Sequence, residues 1–162
     1  MTSPWVRVRQ VWDLLTKRPT PDDEAWARDR LTEAEFALYQ AMRPYDRYHC
    51  ALIARRFAEL NPPDWAIRGA LLHDCGKPPG YGLWWRVLMV LCGDPAIAPD
   101  PLHRSPWQRA QQLYRWHGLY GSRLALAAGL PESGCCLIRD HHARPDPSDN
   151  GWLATFQRLD DD

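Results

Sequence analysis

Six histidines punctuate the chain: His49, His73, His103, His117, His141 and His142. Two of them begin doublets, His73-Asp74 and His141-His142, and three consecutive aspartates, Asp160, Asp161 and Asp162, stand at the end of the sequence. Imidazole and carboxylate together suit divalent cations: Fe, Mn, Zn, Co, Ni or, with more carboxylate, Mg. One histidine on a helix is an ordinary core or surface residue. Here five of the six, with two aspartates, fall at predicted helix ends or first turns. That recurrence predicts a metal site built from side chains on facing helices. His103 stands apart in a proline-rich stretch and reads as a surface residue.

The elements that must position these residues are helical. Strand signals are nearly absent, with few alternating runs and no Asn-Gly hairpin, meaning no Asn-Gly between two such runs. Val8, Val11, Trp12 and Leu15 carry helical spacing over residues 5–16, and Pro19 and Pro21 end that helix. Asp22 and Asp23 open a short helix to residue 28. Thr32 and Glu35 form a capping box for a helix that stops near Met42, before Pro44. Helices are then predicted over 45–60 and from Asp64 to His73, with Gly76 as terminator. Beyond a proline-rich loop at 94–106, further helices are expected up to residue 115, then over 119–128, 131–142 and 149–159. The prediction is an all-α, single-domain bundle of about seven or eight helices. Residues 1–44 supply N-terminal accessory helices. Residues 45–162 form the main domain, with an inserted segment at about 80–106.

Length and composition agree with this. The 162 residues are 45% hydrophobic and 25% charged, enough to bury a core without staples. Twenty basic residues cancel twenty acidic ones, so there is no footprint for bulk nucleic-acid binding. A small anionic substrate in a local basic pocket remains compatible. Five cysteines form no C-x-x-C pair and no signal peptide is visible, which leads to the expectation of a reduced, cytoplasmic protein with core cysteines. The longest apolar run, residues 83–92, is half of the roughly 20 residues a membrane span needs and contains Arg86. It reads as a buried or half-buried helix, the alternative being an interfacial helix or a lid over a site. Nothing in the sequence specifies an oligomeric state.

Order and context carry a resemblance. The segments are Arg47-Tyr48-His49-Cys50-Ala51-Leu52, Ala70-Leu71-Leu72-His73-Asp74-Cys75-Gly76-Lys77, His117-Gly118-Leu119-Tyr120-Gly121, Ile138-Arg139-Asp140-His141-His142, and the stretch from Leu153 to Asp160. Together they resemble the HD-domain superfamily of metal-dependent phosphohydrolases, over about residues 45–160. The order H…HD…H…HH…D is similar to the two-metal subgroup that contains cyclic dinucleotide phosphodiesterases. His142 is followed by Ala143-Arg144-Pro145 and not by Gly-Tyr-Pro, which argues against the HD-GYP branch. Soluble diadenosine tetraphosphate hydrolases of HD type fit the size better.

The resemblance implies one or two divalent ions. His49, His73, Asp74 and Asp160 would hold the first; Asp74, His117, His141 and His142 would hold the second, with Asp74 bridging. Asp160 is preferred to Asp161 because Leu153, Phe156 and Leu159 form an apolar face just before it. Such a pair would supply an activated water and a clamp on phosphoryl oxygens. The implied activity is hydrolysis of a nucleotide or related small-molecule phosphate ester, with Asp74 and Lys77 as catalytic residues. Lys77 and Arg144 are the expected phosphate partners, Arg144 through its planar fork. Asp140 is placed as an acceptor for a ligand imidazole. Arg47, two residues before His49, cannot share its helix face and reads as structural. Trp84, Trp85 and Trp107 either stack a nucleobase or pack ordinarily. The contrasting function is a non-catalytic helical module that binds metal or nucleotide, at a membrane surface or free of it.

Overall fold

The computed structural model describes residues 16–78, 97–144 and 151–161. The expected helix at 5–16 lies outside them except for Thr16, as does the apolar run at 83–92 with Trp84 and Trp85. Among the described residues there are eight α-helices and no strand. They are α1 (Pro21–Arg28), α2 (Glu33–Ala41), α3 (Pro44–Ala58), α4 (Asp64–Leu72), α5 (Pro106–Arg115), α6 (His117–Ala127), α7 (Glu132–Asp140) and α8 (Trp152–Asp160). No helix among them is long and apolar enough to cross a membrane.

Local chemistry sets the boundaries. Both first helices start on reciprocal capping boxes. Thr20 accepts from the Asp23 amide at 3.1 Å, and Asp23 accepts from the Thr20 amide at 2.9 Å. Thr32 and Glu35 repeat the arrangement at 3.3 and 3.0 Å. Pro21, Pro44 and Pro106 occupy first-turn positions, where a missing N–H costs nothing. Pro44 therefore opens α3 as well as ending α2.

Several boundaries differ from the sequence reading by a few residues, and three of the differences bear on candidate ligands. Helix α4 ends at Leu72, so His73 and Asp74 occupy the turn after it. Helix α7 ends at Asp140, which puts His141 and His142 in a turn as well. Helix α6 begins at His117, two residues earlier than expected.

Helix α4 lies centrally, packed against α3 and α7, while α6 packs along α7. Gly69 and Gly134 let α4 and α7 approach closely: a Cβ at Gly69 would lie 3.1 Å from the Gly134 carbonyl oxygen. One apolar cluster runs from Ala27, Phe36 and Tyr39 through Phe57, Leu71 and Leu72 to Ile138 and Phe156. The described accessory helices α1 and α2 thus share the main core. Buried Glu35 also ties α2 to α4, accepting from Arg68 Nη2 at 2.5 Å and Nε at 3.0 Å. The described part of the proline-rich loop is strapped to α5 and α6. Gln112 Nε2 donates to the carbonyls of Ala98 at 2.7 Å and Pro101 at 3.0 Å, and Trp116 Nε1 to that of Ile97 at 2.8 Å. Tyr120 donates to the Pro99 carbonyl.

Candidate metal centre

The ends of five helices converge. His49 comes from the first half of α3, His73 and Asp74 from the turn after α4, and His117 from the start of α6. His141 and His142 follow α7, and Asp160 ends α8. All seven expected ligands meet there, in three overlapping groups able to hold a metal ion: His49 with His73 and Asp74, His73 with His141 and Asp160, and His117 with His141 and His142.

Backbone contact sets the spacing between the ligand-bearing segments. A Cβ on Gly76 would sit 2.0 Å from the His117 carbonyl oxygen and 2.4 Å from the Gly121 amide nitrogen. A Cβ on Gly118 would sit 2.8 Å from the Arg139 carbonyl oxygen and 2.9 Å from that of Ile138. Only glycine allows the turn after α4, the start of α6 and the end of α7 to stack this closely.

Three histidines use the same local device. His73 Nδ1 lies 2.8 Å from the Ala70 carbonyl, His117 Nδ1 2.7 Å from that of Tyr114, and His141 Nδ1 2.6 Å from that of Ile138. Each carbonyl lies three residues back, on the helix just ended. Accepting from Nδ1–H assigns the tautomer and leaves the Nε2 lone pair for a cation. Those Nε2 atoms face inward. His117 Nε2 and His141 Nε2 are 3.2 Å apart. Two lone pairs at that distance repel unless a proton or a cation lies between them.

Asp74 stands at the centre, 2% exposed. Its Oδ1 is 3.6 Å from His117 Nε2, and its Oδ2 is 3.6 Å from His73 Nε2. One carboxylate therefore addresses both histidine groups, one oxygen each. Asp160 Oδ1 accepts from His49 Nε2 at 2.8 Å and lies 3.5 Å from His73 Nε2. The structure thus brings Asp160 to His49 and His73. Asp161 is exposed.

Protonation favours cation binding. Burial pushes His73 down, and His117 is pushed down to about 4 by burial and the Lys77 charge. Burial and the neighbouring imidazoles of His73, His142 and His117 lower His141 to about 2. Burial alone would raise Asp74, but Lys77 and the surrounding histidines hold it well below the usual carboxylate range. Burial likewise opposes the His49 hydrogen bond and the His73 charge at Asp160, which ends at about 2. At neutral pH these histidines are neutral and both carboxylates are ionised, as metal ligation requires. The donor set of imidazole nitrogens and carboxylate oxygens fits a divalent transition metal.

Lys77 is at the centre too, with Nζ 2.5 Å from Asp74 Oδ2 and 4.0 Å from Asp46 Oδ1. Asp46 is 2% exposed and was not anticipated. Its position one turn before Cys50 on α3, three residues ahead of His49, was the available signal. Arg47 is structural, donating to the Gln40 carbonyl at 3.2 Å and lying 3.4 Å from Glu24.

Asp140 does not serve an imidazole. Its carboxylate accepts from Arg139 Nε at 2.9 Å and Nη2 at 2.7 Å, while the Ile138 carbonyl takes the His141 proton. The turn carrying His141 and His142 is held instead by Gln157, a buried residue of α8. Its Nε2 reaches the carbonyls of Asp140 at 3.1 Å and Ala143 at 3.0 Å. Sequence alone gave no sign of Gln157 beyond its place one turn before Asp160.

A cleft of about 390 Å³ opens on the His117, His141 and His142 group. Arg115, Trp116 and Arg139 line it, and Arg144 does not, lying exposed beyond His142. Trp107 sits half-buried in the first turn of α5, so the tryptophan at the cleft is Trp116. His103 is exposed, as expected. Cys50, Cys75, Cys135 and Cys136 are free thiols; burial pushes Cys50 well up and Cys75 up to about 12, so neither is a nucleophile at neutral pH. No protein-family model, curated protein or solved structure matches the chain.

Proposed function

We propose that the chain is a metal-dependent phosphohydrolase of the HD-domain type, acting on a nucleotide or related phosphate ester. The observation that carries this reading is the Asp74 carboxylate, with Oδ1 toward His117 and Oδ2 toward His73 at 3.6 Å each. A carboxylate shared in this way suits two ions rather than one. His49, His73, Asp74 and Asp160 would hold the first, and Asp74, His117, His141 and His142 the second. When bound, such ions acidify water and neutralise phosphoryl oxygens.

The chain's own residues do the rest. The carbonyls of Ala70, Tyr114 and Ile138 hold three imidazoles in the tautomer that leaves Nε2 free. Low-lying acidities of Asp74 and Asp160 keep two negative charges in the site at neutral pH. Lys77, beside Asp74, is placed to donate from Nζ to a phosphoryl oxygen once a cation shares the Asp74 charge. Burial of His73, His117, His141 and Asp74 limits bulk water and strengthens each of these interactions.

The test is elemental analysis of wild type beside Asp74→Ala, with turnover of bis(p-nitrophenyl) phosphate measured after reconstitution with Mn or Fe. About two ions per chain and metal-dependent turnover are expected, both lost in a variant whose circular dichroism is unchanged. About one ion would favour a mononuclear nucleotidase. No metal after reconstitution, or full turnover in Asp74→Ala, overturns the reading and leaves a non-catalytic helical module.

A further inference from the structure

The histidine cluster accounts for one phosphoryl group. The cleft beside it has no role in that account, and its lining is specific. Two guanidinium groups, Arg115 and Arg139, line it together with one carboxylate, Asp140, which accepts from Arg139 at 2.9 and 2.7 Å. Two guanidinium groups against one carboxylate among the lining side chains suit an anionic ligand. Trp116 forms a wall. Its indole N–H is fixed on the Ile97 carbonyl at 2.8 Å, and the Arg115 guanidinium lies 5.4 Å from its ring centre. Both cationic side chains are thus partly ordered before any ligand arrives. The volume of about 390 Å³ exceeds what a lone phosphate fills and lies within the range of small-ligand sites.

We infer that Arg115 and Arg139 bind a second phosphate of the substrate, so that the substrate class is an oligophosphate ester with its organic group along Trp116. This rests on the phosphohydrolase reading above and narrows it. The reacting phosphoryl group lies at the His117, His141 and His142 end of the cleft, and the next phosphate lies toward the two arginines. Arginine suits this role because its planar fork meets two phosphate oxygens at once. Lys77 lies against Asp74 and is not part of the cleft lining. The two cationic regions then divide the work: Lys77 serves the group attacked, and the arginines select what is attached to it.

Titration calorimetry of the metal-loaded full chain, cleared of free metal, tests this. The probes are adenosine monophosphate and α,β-methylene adenosine diphosphate, whose bridging carbon resists hydrolysis. The diphosphate analogue is expected to bind about ten-fold tighter or more, as charge-assisted contacts to a second phosphate should give. In the R115Q/R139Q double variant the preference is expected to fall below about three-fold, with metal content and circular dichroism unchanged. R115Q alone, which leaves the Arg139–Asp140 pair in place, is expected to lose part of it. Equal binding of the two probes by wild type, or an undiminished preference in the double variant, overturns the inference and leaves the phosphohydrolase reading standing. A chain that takes up no metal overturns that reading instead. The same titration of the metal-free chain then decides the cleft: a preference removed by R115Q/R139Q supports the second-phosphate subsite, and no preference overturns it.

Discussion

Replacing Gly76 with Ala adds one methyl group where the turn after α4 meets α6. The new Cβ would lie 2.0 Å from the His117 carbonyl oxygen and 2.4 Å from the Gly121 amide nitrogen. Carbon–oxygen contacts normally need about 3.3 Å or more, so one segment must move by roughly 1 Å. Both obstacles are backbone, and no side chain can rotate away. His117 Nε2 is 3.6 Å from Asp74 Oδ1, and metal–ligand distances tolerate only about 0.2 Å. On the proposed two-ion reading, the second ion should therefore be lost or greatly weakened while the first, assigned to His49, His73, Asp74 and Asp160, is retained. Overpacking costs about 1–3 kcal/mol, and against rigid backbone the upper end is expected. For a chain of this size, about 3 kcal/mol lowers Tm by roughly 6–12 °C. Metal content and calorimetric Tm are the assays. Gly134→Ala is the companion variant: its Cβ would lie 2.9 Å from Leu130 Cδ2 and from the Trp65 carbonyl, at the other end of α7 from His141. It should lose about 1–2 kcal/mol and keep its metal. A Gly76→Ala protein with two ions and a wild-type Tm would refute the claim that backbone contact spaces the ligands.

His142 is the exposed member of its group, so His142→Ala should remove the second ion with little change in Tm, read by elemental analysis. The metal-free protein should lose stability on acidification. His117 folds with its pKa at about 4 against an ordinary 6.5, so the unfolded chain binds more protons between those values. Stability present above pH 6.5 then falls through pH 4, by roughly 3 kcal/mol from this residue. A Tm that is flat from pH 7 to 4.5 after chelation would contradict it. Gln157→Leu leaves the Asp140 and Ala143 carbonyls without their side-chain donor. It should cost about 2 kcal/mol in urea unfolding and weaken metal retention against a chelator.

The ligand types and their order were legible because each chemistry-bearing residue is written in the sequence and the helices between them follow local rules. Thr32 with Glu35 and the placement of Pro106 are examples. Helix ends were less legible. The apolar period of α7 runs on toward His142, but the helix closes at Asp140 when His141 turns to bond Ile138. A local signal for this existed, since a histidine just past a helix can reach the carbonyl three residues back. The roles of Gln157 and of Gly76 against α6 were not legible. Both depend on which segment arrives from across the bundle, 14 or more residues away in sequence. Arg115 was hidden for the same reason: nothing adjacent marks it, and only the fold brings it beside Arg139.

The carbonyl latches on His73, His117 and His141 have a consequence for the order of assembly. Each ring is aimed by the last turn of the helix that precedes it, through a bond spanning three residues. That bond can form as soon as the helix does, before any partner helix has docked. Each ring's rotamer is then set within its own segment, and docking has chiefly to set the distances between arms already aimed. A cation would then meet rings held in place beforehand and spend little of its binding energy on ordering them.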